Sequence, residues 1–142
     1  MRSIPISQPG IADQVTTIAL ARLFEPVSDF FLTDTMLTKE HGSSFEKQPV
    51  EGFVGITGQT CDWDVAGELV KQSRIPVILA GGLAPDNVFD GIMQVHPAGV
   101  DSCTRTNAVD PEGRFVRFNK DLKKVEEFVK ETHRAERVMG RR

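Results

Sequence analysis

Apolar residues recur along this chain at two different spacings. Four segments carry an apolar residue every three to four positions and predict helices: residues 11–24, residues 63–72, a segment starting near Pro85, and a segment capped by Asn119. Four shorter apolar runs predict strands: residues 2–6, 30–33, 75–80 and 98–103. The first of these contains Pro5, which favours an edge position in a sheet.

Strands and helices alternate in this pattern, which predicts an α/β fold with a parallel sheet and right-handed crossovers. A complete eight-unit βα barrel takes about 250 residues, whereas this chain has 142. The pattern therefore predicts a single domain over residues 1–142 that forms half of a (β/α)8 TIM-type barrel.

An isolated half-barrel leaves both edges of its sheet open, and open edges pair with other chains. The strand face toward the barrel axis would lie bare, and Leu32, Val77, Leu79 and Val100 belong to it on one parity or the other. We therefore expect a homo-oligomer, and a homodimer first, to complete the barrel.

Composition narrows the classes of function. The chain has 17 Lys and Arg against 20 Asp and Glu, which gives a net charge of −3 and excludes the basic excess of a general nucleic-acid binder. No apolar run approaches the roughly 18 residues of a membrane span, and the start has no secretory pattern. Two cysteines and three dispersed histidines predict free thiols, no metal, no cofactor and a cytoplasmic location.

Two segments stand apart from the regular pattern. Residues 35–60 have no clear periodicity and are interpreted as a long loop or lid, since loops of this length are often functional. Residues 134–142 carry four arginines, and we expect a basic, frayed, solvated tail rather than a phosphate or RNA patch.

Candidate chemistry gathers where the predicted strands end, because functional groups of parallel sheets lie at their carboxyl edge. Asp34 follows one strand and is either a general acid or a loop-ordering carboxylate. Gly81 and Gly82 precede a helix and form either a phosphate cradle or only a tight turn. The next strand ends in Asp101 to Thr104, and Thr104 with Arg105 offers a second anion anchor. Asp62 is interpreted as a helix N-cap.

Three stretches resemble one known family. They are Phe31 to Thr35, Thr57 to Trp63 and Pro76 to Val88, followed by Gly99-Val100-Asp101. Their order is similar to that of phosphoribosylanthranilate isomerase of tryptophan biosynthesis, and Ala80 to Val88 is the most specific part. The resemblance covers the carboxyl half of that family's barrel.

The resemblance implies an Amadori rearrangement, in which an N-linked phosphoribosylamine becomes a 1-amino-1-deoxyketose phosphate. It implies that Asp34 is the general acid. It implies that a phosphorylated sugar is bound by a set of six residues: Gly58, Gly81, Gly82, Asp101, Thr104 and Arg105. The family's general base, a cysteine at the end of the first strand, is absent here, and Arg105 stands where the family has a glycine.

Cys103 is a candidate to replace that base, because in a closed barrel the last strand lies beside the first. The alternative for Cys103 is a small residue that fills space. Two functions therefore remain open: an isomerase, incomplete as an isolated chain, and a non-catalytic phosphate- or nucleotide-binding half-barrel module. A fragment without independent function is a third interpretation.

Overall fold

The computed structural model describes residues 1–36 and 58–140. The elements are β1 (Arg2–Ser7), α1 (Gln14–Phe24), β2 (Phe31–Met36), α2 (Trp63–Gln72), β3 (Val77–Leu79), α3 (Val88–Val95), β4 (Gly99–Val100), β5 (Asn107–Val109), β6 (Phe115–Lys120) and α4 (Leu122–Met139). The strands β1 to β4 form one parallel sheet in that order, and β5 and β6 form a separate antiparallel hairpin.

One face of the sheet is covered by the helices. Ile4 and Ile6 of β1, Phe31 of β2 and Leu79 of β3 are fully buried there. Residues of the opposite parity, such as Leu32 and Ile78, are only half-buried. This face is the one that would line a barrel.

Local sequence signals account for most helix boundaries. Asp13, Asp62 and Asp121 accept hydrogen bonds from backbone N–H groups of the first turns of α1, α2 and α4. The N-cap prediction for Asp62 is confirmed, and α2 has the predicted bounds. α1 ends at Phe24 and a 3-10 turn that contains Pro26 follows.

Several boundary predictions were wrong. α3 begins at Val88 rather than near Pro85, because Asn87 accepts a hydrogen bond from the Ala84 N–H and closes an intervening turn. Asn119 belongs to β6, and Asp121 caps α4 instead. Val77 and Leu79 do not face the open side, since both are buried against the helices.

The carboxyl end of the chain differs most from expectation. α4 continues to Met139, so the described part of the predicted frayed tail is helical. Ala135 is fully buried, and the Arg134 guanidinium lies 3.5 Å from the centre of the Phe89 ring on α3. Contacts with α3 therefore order residues 134–139. The β5–β6 hairpin has no counterpart among the predicted elements.

Candidate functional site

β2 presents opposite chemistry on its two faces. Phe31, Thr33 and Thr35 point to the buried side, and Leu32, Asp34 and Met36 to the half-open side. β3 pairs with β2 only at Phe31 and Leu32, so Asp34 lies beyond the end of that ladder. The alternation of a strand thus places the carboxylate at the carboxyl edge of the sheet.

Two buried threonines of β2 hold the surrounding loops. The Thr33 hydroxyl donates to the Ala80 carbonyl (2.9 Å) and accepts from the Ala80 N–H (2.8 Å). The Thr35 hydroxyl donates to the Gln59 carbonyl at 2.8 Å. These side-chain hydrogen bonds connect β2 to the neighbouring loops beyond the last backbone pair of β2 and β3.

The glycine pair is required by close packing. Gly81 and Gly82 have φ angles of +98° and +61°, which L side chains rarely adopt. A Cβ atom on Gly81 would lie 2.2 Å from the Thr35 hydroxyl oxygen, and one on Gly82 would lie 2.4 Å from the Gln59 carbonyl carbon. The pair is therefore a tight connection, and its backbone also borders the open side of the sheet.

The environment of Asp34 alters its acidity. Burial raises the pKa of the Asp34 carboxyl, the Thr35 N–H that donates to it lowers this pKa, and the nearby Asp101 charge raises it further. The net pKa shift is upward. Such a carboxyl keeps its proton to higher pH than an exposed aspartate and is suited to act as an acid.

A short 3-10 turn, Thr104–Thr106, follows the end of β4. The Thr104 hydroxyl oxygen is buried and has no hydrogen-bond partner among the described residues. Gly58 lies against this turn, since a Cβ on Gly58 would be 3.4 Å from Cγ2 of Thr104. The turn therefore places the side chains of Thr104 and Arg105 side by side against Gly58.

One cavity of about 100 Å³ joins these parts at the carboxyl edge of the sheet. All eight residues predicted for the site line it: Asp34, Gly58, Gly81, Gly82, Asp101, Cys103, Thr104 and Arg105. Leu32, Ala80 and Leu83 complete the lining. Cys103 is half-buried and Asp101 is exposed.

The structure differs from expectation in the part that the α3 N-terminus plays at the cavity. None of the described residues that line the cavity belongs to α3, and the Val88 N–H already donates to the Ala84 carbonyl. An anion in this cavity would thus meet the 81–83 and 103–105 loops rather than the α3 N-terminus.

Other parts of the molecule lie apart from the cavity. Cys61 is buried, and burial raises the pKa of its thiol to about 12, so it stays protonated at neutral pH. Most of the predicted loop or lid, residues 37–57, lies outside the described residues. Within the described ranges, no helix is long and apolar enough to cross a membrane, and no three Cys, His, Asp or Glu side chains form a metal-binding group.

Sequence reasoning missed Thr33, Thr35 and Lys120, which support the cavity without lining it. The Lys120 ammonium donates to the Cys103 carbonyl and to the Thr106 hydroxyl. The alternation of side chains along a strand is the signal that places Thr33 and Thr35 on the face opposite Asp34. No local signal points to Lys120, because its partners lie 14 and 17 positions away in sequence.

Two relatives show the similarity at the level of sequence. N-(5'-phosphoribosyl)anthranilate isomerase of Haloferax volcanii is 41% identical over 93 residues, which cover 66% of this chain and 36% of that protein. The enzyme of the same name from Methanocella arvoryzae is 38% identical over 114 residues, which cover 80% of this chain and 44% of that protein. The chain thus spans less than half the length of these relatives.

Solved structures show the same architecture. N-(5'-phosphoribosyl)anthranilate isomerase from Pyrococcus furiosus matches 93% of this chain and 50% of its own, with a TM-score of 0.55 and 25% identity. Two further structures share the fold at 20% identity, with TM-scores of 0.57 and 0.59: a phosphoribosyl anthranilate isomerase in complex with reduced 1-(o-carboxyphenylamino)-1-deoxyribulose 5-phosphate, and monomers of the dimeric enzyme from Thermotoga maritima. About half of each of these solved chains is matched.

The family model described as N-(5'phosphoribosyl)anthranilate (PRA) isomerase matches residues 6–131. This match includes every residue that lines the cavity. The chain belongs to the phosphoribosylanthranilate isomerase family.

Proposed function

We propose that this chain is the half of a phosphoribosylanthranilate isomerase that holds the general acid and the substrate phosphate. It would catalyse the Amadori-type isomerisation when the other half of the barrel is supplied. The observation that carries this proposal is one cavity lined both by Asp34, whose carboxyl has a raised pKa, and by Thr104 and Arg105.

Asp34 is the proposed general acid. Its proton goes to the ring oxygen of the phosphoribosylamine, and the bond from C1 to the ring oxygen breaks. A base then removes the C2 proton, and the product is a 1-amino-1-deoxyketose phosphate. The raised pKa of Asp34 supports this role, because it increases the protonated fraction near neutral pH.

The phosphate is proposed to lie between two loops. Thr104 offers an unpartnered hydroxyl and Arg105 a guanidinium with five donors. Gly81 and Gly82 allow close approach of the backbone on the other side, and Gly58 and Asp101 border the sugar. A phosphorylated sugar is also what one solved relative binds, as a reduced deoxyribulose 5-phosphate.

The general base is the second group that this reaction requires. Cys103 is the candidate within this chain, because it is half-buried and lines the cavity that holds Asp34. Alkylation by iodoacetamide tests its access: we expect Cys103 to react, ribose 5-phosphate to protect it, and the buried Cys61 to stay unmodified until unfolding. A Cys103 that is inert in the native protein would exclude this role.

Assembly is proposed to complete the barrel. β1 and β4 each pair with only one described strand, and one face of the sheet is half-open. Two copies related by a twofold axis would pair β4 of each with β1 of the other. Light scattering should then report about 31 kDa, twice the 15.7 kDa of one chain. A single 15.7 kDa species with cooperative unfolding would refute a homodimer.

The second candidate is a non-catalytic phosphate- or nucleotide-binding module, which Arg105 at the cavity also supports because anion binding needs no general base. Both candidates bind ribose 5-phosphate, but only the isomerase has turnover. We place either one in the cytoplasm, because both cysteines are free thiols.

The deciding experiment is reconstitution. The chain is assayed with phosphoribosylanthranilate alone and after addition of the amino-terminal half of the Pyrococcus furiosus enzyme. The isomerase is supported if either sample shows turnover and the Asp34→Asn variant abolishes it. Binding of ribose 5-phosphate without turnover in either mixture supports the module, and no binding refutes both.

A further inference from the structure

Lys120, the last residue of β6, does not line the cavity. It contacts the Cys103–Thr106 turn, which borders the cavity. Its ammonium nitrogen lies 2.5 Å from the Cys103 carbonyl oxygen and 2.9 Å from the Thr106 hydroxyl oxygen. The side chains of the other β6 residues are exposed, and none of them has a hydrogen bond to this turn among those found in the described residues. β5 continues directly from the turn along the chain, and Lys120 is the β6 side chain that hydrogen-bonds to it among the described residues.

The turn itself is held at both ends. At its start, the Cys103 carbonyl accepts from Lys120 and, at 3.1 Å, from the Thr106 hydroxyl. At its end, the Thr106 carbonyl accepts from the Asp121 N–H at 3.0 Å. Thr106 is buried. Between these fixed ends lie Thr104 and Arg105, which both line the cavity.

We propose that Lys120 is a positioning residue for anion binding: it fixes the Cys103–Thr106 turn so that Thr104 and Arg105 line the cavity together. This inference rests on the proposed phosphate site and adds the β5–β6 hairpin to it. Lys120 does not touch the ligand and acts through Thr104 and Arg105.

The reason is the strength of the bonds it makes. Hydrogen bonds from an ammonium group are stronger than those between neutral groups, and a carbonyl at a turn start fixes the peptide plane that follows. Without the ammonium, the Cys103 carbonyl keeps only the Thr106 hydroxyl, and the turn gains freedom to rotate. Ligand affinity falls when supporting contacts are lost, even if the binding groups remain.

The test compares Lys120→Met with Lys123→Met. Lys123 is exposed, lies three positions away, and has no side-chain partner among the described residues. Both substitutions remove one positive charge, so a general electrostatic effect on an anion would appear in both. We expect Lys120→Met to weaken ribose 5-phosphate binding about tenfold, Lys123→Met to leave it within twofold, and Lys120→Arg to retain most of it.

A second measurement does not require a ligand. The Asn107 N–H donates to the Thr104 carbonyl and closes the turn, so its hydrogen exchange reports on the turn directly. Exchange at Asn107 should be about tenfold faster in Lys120→Met and unchanged in Lys123→Met. Global stability, measured by urea unfolding, separates local loosening from unfolding.

The outcomes are separable. If the wild-type chain does not bind ribose 5-phosphate, the proposed function fails, and the exchange rates alone decide whether Lys120 orders the turn. If the wild type binds and Lys120→Met binds equally well, Lys120 is not a positioning residue. Equal effects of the two lysine substitutions would also overturn the inference, because only long-range charge would then be involved.

Discussion

The two faces of β2 differ in what they do for the molecule. Thr33 and Thr35 on one face are fully buried, and their hydroxyls hydrogen-bond to the backbone of Ala80 and Gln59. Asp34 on the other face is half-buried and borders a cavity. The buried face fixes where the loops lie, and the open face carries the proposed general acid. Substitutions on the two faces should therefore separate stability from activity.

The largest effect is expected on the open face. Asp34→Asn removes the proton donor but keeps the shape of the side chain, so turnover in the reconstituted isomerase should fall about 10²–10⁴-fold. Affinity for ribose 5-phosphate should stay within about twofold, since the acid is not a phosphate ligand. Steady-state kinetics and calorimetry check the two halves of this prediction.

Either of two results would contradict this assignment of Asp34 as the general acid. Turnover within a few-fold of wild type would mean that Asp34 is not the acid. A large loss of ribose 5-phosphate affinity would mean that Asp34 holds the sugar or orders the cavity instead.

The next effect concerns the glycine turn that rests on the buried face. In Gly82→Ala, the new Cβ would lie 2.4–2.6 Å from backbone atoms of Gln59 and Thr60, and backbone cannot move aside as a flexible side chain can. We expect a loss of about 2–4 kcal/mol in the free energy of unfolding, measured by urea denaturation.

Gly10→Ala is the matched control for this substitution. Gly10 also has a positive φ, +84°, but no atom lies within 4 Å of the place that the alanine methyl group would take. Its cost should be about 1 kcal/mol, from backbone strain alone. Equal costs at the two glycines would show that the close packing at Gly82 carries no energy.

A smaller effect is expected from the threonines themselves. Thr33→Val leaves both the N–H and the carbonyl of Ala80 without the hydroxyl, and should cost about 1–3 kcal/mol. Thr35→Val removes one bond, to the Gln59 carbonyl, and should cost about 1 kcal/mol. Both threonines are fully buried, so the pair is matched in burial. The reverse order of the two costs would contradict this account of the buried face.

These differences also explain what could be predicted from the sequence. The parity of β2, the cap at Asp62 and the bounds of α2 follow from residues that are close in sequence, and all three agree with the structure. The convergence of Asp34, Gly81 and Arg105 was predicted from a general rule, that parallel strands end at the same edge.

The β5–β6 hairpin could not be predicted in the same way. Every residue of β6 is exposed, so the strand lacks the alternation of buried and exposed positions that indicates a half-buried strand. Asp110-Pro111-Glu112-Gly113 is a strong turn signal between the two strands and was the available indication. The helix predicted from Pro85 was displaced to Val88 by a side-chain bond of Asn87, which depends on tertiary detail.

The smallest expected effect is the pH dependence of stability, and it sharpens the contrast between the faces. Because burial and the Asp101 charge raise the pKa of Asp34 in the folded state above its unfolded value of 3.8, the folded protein binds this proton more tightly than the unfolded chain. The stabilising contribution of Asp34 is therefore complete below pH 3.8 and is lost as pH rises through the raised folded pKa. Asparagine does not titrate, so Asp34→Asn should gain stability relative to wild type as pH rises from about 3.5 to about 7, by a small amount because the carboxyl is partly solvated. Asp101→Asn removes the smaller of the two causes that raise this pKa, and in that background the gain should shrink. Urea unfolding at several pH values measures the difference, and a difference independent of pH would show that the open face does not perturb Asp34.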